Sequence, residues 1–184
     1  MLYSTIGHYS LVLGLCVSLL LVFFSIKNFK NSEILSSKIL SFTFLQFFLV
    51  VVSFSSLIIS FVLSDFSNET VFNNSHTTKP FFYKIAGTWG NHEGSLLLWL
   101  FVLTLFIFIF ILKTKNQPIK YKLLTLIFQQ IIIIGFFIFL IETSNPFNYL
   151  YPAPDEGLGL NPILQDPALA IHPPILYLGY VGSS

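Results

Sequence analysis

The chain has 184 residues, of which 54% are hydrophobic and only 9% are charged, and its formal net charge is +1. A soluble domain carries roughly a quarter charged residues, so this composition excludes an ordinary soluble enzyme and indicates a membrane protein. The net charge leaves no basic face for nucleic acid. The single cysteine, Cys16, excludes a disulfide framework, a CxxC redox pair and a zinc ribbon.

Four apolar runs free of Asp, Glu, Lys and Arg follow one another along the chain. They cover residues 6–26, 39–63, 95–112 and 123–141, and no proline interrupts any of them. At about 1.5 Å per helical residue, each run can cross a hydrocarbon core of about 30 Å. We therefore predict an all-α integral membrane protein, a single membrane domain over residues 1–184, with four complete transmembrane helices.

The placement of the lysines predicts how these helices are oriented. Seven of the nine lysines fall in the loops 27–38 and 113–122: Lys27, Lys30, Lys38, Lys113, Lys115, Lys120 and Lys122. Lysine-rich loops face the cytoplasm or the mitochondrial matrix. The N-terminus and the two long loops, 64–94 and 142–174, are then expected on the outer side, in the periplasm or the intermembrane space.

The first long loop begins with residues 64–80, which we predict to be a plain polar excursion. Two glycosylation-type triplets begin there, at Asn68 and Asn73. Such triplets arise by chance in a chain rich in Asn and Ser, and they matter only in a secretory pathway.

The stretch GTWGNHEGSLLLW, residues 87–99, sets His92 and Glu93 between two glycines at the start of the third apolar run. The zinc motif HExxH lacks its second histidine here, and a GxSxG nucleophile turn is absent. Asn91 can cap the helix, and Glu93 in its first turn gains about 0.3–1 kcal/mol from the helix dipole. Glycines also allow close approach of a ligand, so the wall of a site stays open as an interpretation.

The second long loop contains seven prolines and no lysine. Its Asp166-Pro167 step is typical of an N-cap followed by proline at the first helical position. We predict a short helix from Pro167 to about Ile171, because Pro173 and Pro174 must end it.

His172 is then expected at the C-terminal edge of that short helix, and a fifth transmembrane helix is expected to begin at about residue 175. A rigidly held imidazole among apolar and aromatic groups suits a flat, iron-bearing ligand. The alternative is a histidine that caps the helix or bonds a carbonyl, since imidazole has many uses besides metal binding.

Three segments resemble the CcmF family, the large membrane subunit of the cytochrome c maturation haem lyase of bacteria and some mitochondria. They are LNPILQDPALAIHPPILYLGYVG (160–182), AGTWGNHEGSLLLW (86–99) and TSNPF (143–147), which together cover 42 of the 184 residues. The resemblance implies a haem site on the outer face of the membrane.

The resemblance assigns roles to particular residues. His172 would be an axial ligand to the iron of a b-type haem in transit, with Pro173, Pro174 and Tyr177 as its setting. The residues of the WGxHEGS segment that would line or brace the site are Trp89, Gly90, His92 and Glu93.

The family's reaction implies the partners. Haem would come from the haem chaperone CcmE and be held while its vinyl groups join the two thiols of a CxxCH motif in apocytochrome c, as thioether bonds. Membrane lipid, a CcmH-like thiol protein and apocytochrome c are further expected partners. No nucleic-acid partner is expected.

The chain also departs from the family pattern. It has no tryptophan-rich WWD loop and no second outer histidine suited to complete the ligation of haem, and only ten residues follow Pro174. We therefore expect the N-terminal part of a naturally split form, catalytic only with a C-terminal CcmF polypeptide that carries the WWD motif and the second axial ligand.

The composition bears on location, because 22 phenylalanines and no arginine suit an AT-rich, organellar gene. We expect the mitochondrial inner membrane, with the bacterial plasma membrane as the alternative.

Two other classes of protein stay open. An ion or proton translocator needs ionisable residues inside its helices, whereas the four runs contain no Asp, Glu, Lys or Arg, and their glutamines, Gln46, Gln129 and Gln130, suit bonds between helices. A structural assembly subunit that never contacts haem is the second alternative.

Overall fold

The computed structural model describes residues 1–27, 29, 35–114 and 116–183, except for the side chains of 35–37 and 163–164. Its helices are α1 (Leu2–Lys27), α2 (Leu35–Val62), α3 (Glu69–Asn74), α4 (Phe81–Gly87), α5 (His92–Lys113), α6 (Ile119–Glu142) and α7 (Pro167–Gly182), with a 3₁₀ turn at Pro162–Gln165. An isolated antiparallel bridge joins Asn68 and Tyr149. The described residues form no strand, so the all-α prediction is confirmed.

Four helices among the described residues are long and apolar enough to cross a membrane. They are α1, the Lys38–Val62 part of α2, α5 and α6. Each contains or closely matches one of the four apolar runs, which confirms the four predicted transmembrane helices. The orientation of the bundle stays a prediction, and two of the lysines that support it, Lys30 and Lys115, lie outside the described residues.

The four long helices pack in a ring in the order α1, α2, α5 and α6, and α6 closes the ring against α1. Helix α7 lies outside this ring, against α5, and the short α4 contacts both α2 and α7. This arrangement places the start of α5 beside α7.

Small side chains let α1 approach its neighbours closely. Its buried face repeats every three or four residues and includes Ser4, Gly7, Leu11, Gly14, Ser18, Leu21 and Ser25. Such small-residue faces are typical of helix packing in membranes. A Cβ atom on Gly14 would lie 2.7 Å from the ring of Phe137 on α6, so this contact requires a glycine.

A polar contact lies inside the ring. Gln46 of α2 and Gln130 of α6 are fully buried, and each side-chain amide donates to the other's carbonyl oxygen at 2.8 Å. The Gln46 amide also donates to the hydroxyl of Ser18 on α1. These bonds satisfy polar groups that lipid cannot, and they confirm the helix-bridging interpretation for both glutamines.

Residues 63–91 and 143–166 meet at one end of the bundle, which we call the long-loop end. The prediction of a plain polar excursion at 64–80 is wrong, because α3 forms there around a buried Asn68. The Asn68 side chain accepts from the Val71 N–H at 3.0 Å and donates to Ser4 Oγ at 3.0 Å and the Pro146 carbonyl at 2.9 Å. Its amide is therefore committed to packing and is not presented as a glycan acceptor.

Backbone hydrogen bonds join the two long loops. The N–H of Glu69 donates to the carbonyl of Asn148 at 2.9 Å, and the N–H of Leu150 donates to the carbonyl of Ser67 at 2.9 Å. Further along, the N–H of Leu158 donates to the carbonyl of Phe72 at 2.8 Å. The two loops therefore form one connected layer.

Helix α7 differs from its prediction. Asp166 caps it, accepting from the N–H groups of Ala168 at 2.8 Å and Leu169 at 3.1 Å, as expected. The helix does not end at Ile171, however, but continues through both prolines to Gly182. The prediction of a short helix is wrong, and the helix expected to begin near residue 175 begins at Pro167.

Candidate functional site

The two prolines inside α7 remove backbone donors from the middle of the helix. In an α-helix the N–H of a residue donates to the carbonyl four positions earlier, so Pro174 leaves the carbonyl of Ala170 without its usual donor. The indole N–H of Trp89 donates to that carbonyl at 2.8 Å. A tertiary hydrogen bond thus replaces one of the helical bonds that the two prolines remove.

A tightly built turn positions Trp89 between α4 and α5. The side chain of Asn91 accepts from the Gly94 N–H at 2.7 Å, which confirms it as the N-cap of α5, and donates to the Gly87 carbonyl at 2.7 Å. A Cβ atom on Gly94 would lie 1.6 Å from the carbonyl oxygen of Thr88. The second glycine of the WGxHEGS segment is therefore required by the turn itself.

A second contact holds α7 against α5 further along the helix. The rings of Trp99 and Tyr177 have centroids 5.3 Å apart and are inclined by 30°. Trp99 also packs against Phe136 of α6, with centroids 5.5 Å apart. One face of α7 is therefore fixed at two levels, by Trp89 and by Trp99.

His172 lies on the other side of α7 and is exposed. No hydrogen bond or ion pair joins its imidazole to another residue in the part of the chain that the structure describes. His172 therefore lies within α7 rather than at a helix end, and the alternative of a capping histidine finds no such contact among the described residues.

The surroundings of His172 fit one face of a haem. Leu169, Ile175 and Leu176, three or four residues away on the same helix, are exposed apolar side chains. A neutral imidazole is a common metal ligand, and a macrocycle needs apolar surface beside its axial ligand. The described residues hold no group of three or more His, Cys, Asp and Glu side chains suited to a bare metal ion.

The other WGxHEGS residues point to different neighbours. The ring of His92 meets the edge of Phe139 on α6, with centroids 6.3 Å apart. Glu93 lines a small polar cavity beside Glu69 and Ser144. Of the residues expected to line the site, the structure joins Trp89 to the helix of His172 by a hydrogen bond. A wall formed by Gly90, His92 and Glu93 stays a prediction.

Sequence reasoning missed two partners of the site. The carbonyl of Ala170 as an acceptor was detectable from its spacing of four residues to Pro174, which predicts an orphan carbonyl. The stacking of Trp99 on Tyr177 had no local signal, because the two residues lie far apart in the chain.

Hydrogen bonds at the long-loop end fix one carboxylate. The hydroxyl and the backbone N–H of Thr77 donate to Glu156. These hydrogen bonds lower the pKa of Glu156 to about 2; desolvation opposes them, and a hydrogen bond from the Gly157 N–H and the charge of His76 act in the same direction as Thr77. Glu156 is therefore an anion that links the two long loops.

Known proteins resemble this chain over nearly its whole length. The family described as Cytochrome C assembly protein matches residues 89–184. The chain belongs to this family. CycK of Rhizobium meliloti is 46% identical over 180 residues, which are 97% of this chain and 27% of that protein. CcmF of Haemophilus influenzae is 40% identical over 183 residues, 98% of this chain and 28% of the relative.

Both relatives are described as cytochrome c-type biogenesis proteins. A solved structure described as Cytochrome c Heme Lyase CcmF shares the fold, with a TM-score of 0.82 and 24% identity over 98% of this chain and 28% of that one. The chain is thus similar to CcmF-type cytochrome c biogenesis proteins, as the three segments indicated. It spans 27–28% of the length of these relatives.

Proposed function

We propose that this CcmF-type chain helps to hold haem, the substrate of cytochrome c maturation, at the outer face of the membrane. One observation carries the proposal: the His172 imidazole is exposed, lacks a partner among the described residues and lies on a helix whose opposite face is anchored. Bound haem would supply an iron for the imidazole and two vinyl groups for the thiols of a CxxCH motif in apocytochrome c.

The chain's own residues then have distinct tasks. His172 offers one neutral ring nitrogen as an axial ligand, while Leu169, Ile175 and Leu176 cover part of the macrocycle. Trp89 and Trp99 keep the ligand helix in place, because Trp89 donates to the Ala170 carbonyl and Trp99 packs against Tyr177, both from the bundle side. The second ring nitrogen needs an acceptor to fix its tautomer, and we assign that role to water or a partner chain.

In this proposal the remaining parts of the reaction lie outside residues 1–184. We place the WWD platform, the second axial ligand and the catalytic activity in the assembled lyase, since this chain spans 27–28% of its relatives. Delivery of haem by CcmE and of thiols by apocytochrome c and a CcmH-like protein follows from the same family role. Location in the mitochondrial inner membrane rests on composition, and bacterial relatives fit the alternative of a plasma membrane.

A second candidate function is a structural assembly subunit without haem contact. One observation favours it: Asn91, Gly94 and Trp89 have packing roles in this fold, so much of the WGxHEGS segment needs no ligand to explain it.

The experiment that separates the two functions is a His172→Ala variant of the purified membrane assembly. We expect loss of most bound haem, with an altered Soret spectrum and impaired cytochrome c maturation, at unchanged thermal stability. His76→Ala is the matched control, because His76 is also a histidine of the long-loop end, and it should keep its haem. Full haem content and normal maturation in His172→Ala would show that the ligand assignment is wrong and leave the structural role.

A further inference from the structure

A cavity lies between α1 and α2 at the end of the bundle opposite the long-loop end. We call this opposite end, where α1 and α5 finish and α2 and α6 begin, the lysine end. The cavity has a volume of about 330 Å³ and is lined by Phe24 of α1 and by Lys38, Ser41 and Phe42 of α2. It therefore combines a cation, a hydroxyl group and two aromatic rings between two transmembrane helices.

Lys38 supplies the positive charge of the cavity. It is exposed, and its ammonium group forms no hydrogen bond or ion pair with another residue in the described part of the chain. Ser41 and Phe42 follow it by three and four residues, a spacing that places the three side chains on one face of α2. An ammonium and a hydroxyl group side by side can both donate hydrogen bonds to the oxygen atoms of a phosphate. Lys38 and Ser41 therefore form the polar side of the cavity.

Apolar groups form the other side of the cavity. The rings of Phe24 and Phe42 stack across the two helices, with centroids 5.6 Å apart and an inclination of 22°. One turn nearer the middle of the membrane, Leu20 of α1 and Leu45 of α2 are exposed apolar side chains. The order along both helices is therefore cationic, then aromatic, then aliphatic, which fits an amphiphile and not a free anion.

The charged side chains around the cavity have one sign. Every charged side chain that the structure describes at the lysine end is a lysine, and every described carboxylate lies toward the long-loop end. The lysines are Lys27, Lys38, Lys113, Lys120 and Lys122, whereas Lys30, Glu33 and Lys115 lie outside the described residues. Such a surface attracts anionic lipid headgroups, and this attraction falls off within a Debye length. The charge of the cavity is therefore complementary to an anionic lipid.

We propose that this cavity binds the headgroup of an anionic phospholipid, with an acyl chain lying along the groove between α1 and α2. Basic pockets between transmembrane helices are suited to the phosphate headgroups of membrane lipids. Lys38 and Ser41 would hold the phosphate, and Phe24 and Phe42 would contact the first part of the acyl chain. The lipid would tie the end of α1 to the start of α2, and its binding is independent of haem, which we place at the other end of the bundle.

The experiment measures lipid binding by the purified membrane assembly in detergent, by native mass spectrometry and by the thermal unfolding midpoint. Phosphatidylglycerol should bind saturably and raise the midpoint. Phosphatidylcholine with the same acyl chains, and inorganic phosphate at equal ionic strength, should do neither.

Three variants locate the site. Lys38→Gln should weaken phosphatidylglycerol binding by about fivefold, because it removes one positive charge beside the headgroup. Ser41→Trp, which fills the cavity and leaves every charge in place, should weaken it by a similar factor. Lys120→Gln is the matched control, because Lys120 is an exposed lysine of the same end that does not line the cavity, and it should change the binding by less than about twofold.

Three outcomes would overturn the proposal. Absent or equal binding of the two lipids would show that the headgroup charge is not recognised. Equal weakening by Lys38→Gln and Lys120→Gln would show a diffuse attraction to the lysine end instead of a site at this cavity. A response to inorganic phosphate as large as the response to phosphatidylglycerol would assign the cavity to a free anion. The comparison of the two lipids uses the unaltered assembly, so it decides the question even if a variant folds poorly.

Discussion

The indole of Trp89 donates a hydrogen bond to the carbonyl of Ala170, the carbonyl that Pro174 leaves without a helical donor. This pairing joins the two longest segments that resemble CcmF. It links a tryptophan in the turn between α4 and α5 to the second proline of α7.

Trp89→Phe should destabilise the fold by about 1–3 kcal/mol, because the aromatic ring stays and the buried carbonyl of Ala170 loses its donor. The measurement is the midpoint of thermal unfolding in detergent. Pro174→Ala restores an N–H at position 174 that can donate to the Ala170 carbonyl. The Trp89→Phe, Pro174→Ala double variant should therefore be less destabilised than the sum of the two single effects. Strict additivity would show that Trp89 does not compensate for the proline.

Gly94→Ala should destabilise the chain by about 1–3 kcal/mol, because the added Cβ atom would collide with the carbonyl of Thr88. The matched control is Gly135→Ala in α6, where a Cβ atom meets no atom within 4 Å. Alanine should stabilise that helix by roughly 0.5–1 kcal/mol. Unfolding curves for the two variants should therefore shift in opposite directions.

Gln46→Leu should cost about 1–2 kcal/mol, because it strands the buried amide of Gln130 between helices. The Gln46→Leu, Gln130→Leu double variant should be less destabilised than either single variant, since both polar groups are then gone. Unfolding by increasing denaturing detergent provides the comparison. A double variant that loses the sum of the two single effects would contradict the reciprocal pairing.

The link between Thr77 and Glu156 should depend on pH. The folded-state pKa of Glu156 is lowered from 4.5 to about 2, so its contribution is present above pH 4.5 and disappears as the pH falls toward 2. Hydrogen exchange at the Thr77 amide should therefore show declining protection through that range, after correction for intrinsic exchange. Glu156→Gln should abolish the pH dependence, whereas Asp155→Asn should preserve it.

Much of this fold could be predicted from local sequence. Uninterrupted apolar runs predict the long helices because hydrocarbon permits few other backbone structures. Asn91 and Asp166 act as caps because short polar side chains satisfy free N–H groups at helix starts. Both predictions depend only on neighbouring residues.

The wrong predictions have a common physical cause. Local sequence predicts that α7 ends before Pro173, because proline removes a backbone donor. Trp89, in a distant turn, supplies a donor to the carbonyl of Ala170 instead. Residues 64–80 looked merely polar because Asn68 is satisfied by Ser4 and Pro146, which no local pattern shows. Contacts across the chain outweigh local propensity at these places.

The continuity of α7 gives the molecule a mechanical property. Five residues separate His172 from Tyr177, which corresponds to about 7.5 Å along the helix and about 140° around its axis. Because both side chains are carried by α7, a rotation of the helix about its axis moves the imidazole of His172 and the phenol of Tyr177 together. Tyr177 packs against Trp99 of α5, so a rotation of α7 about its axis that displaced Tyr177 from Trp99 would carry the imidazole through the same angle.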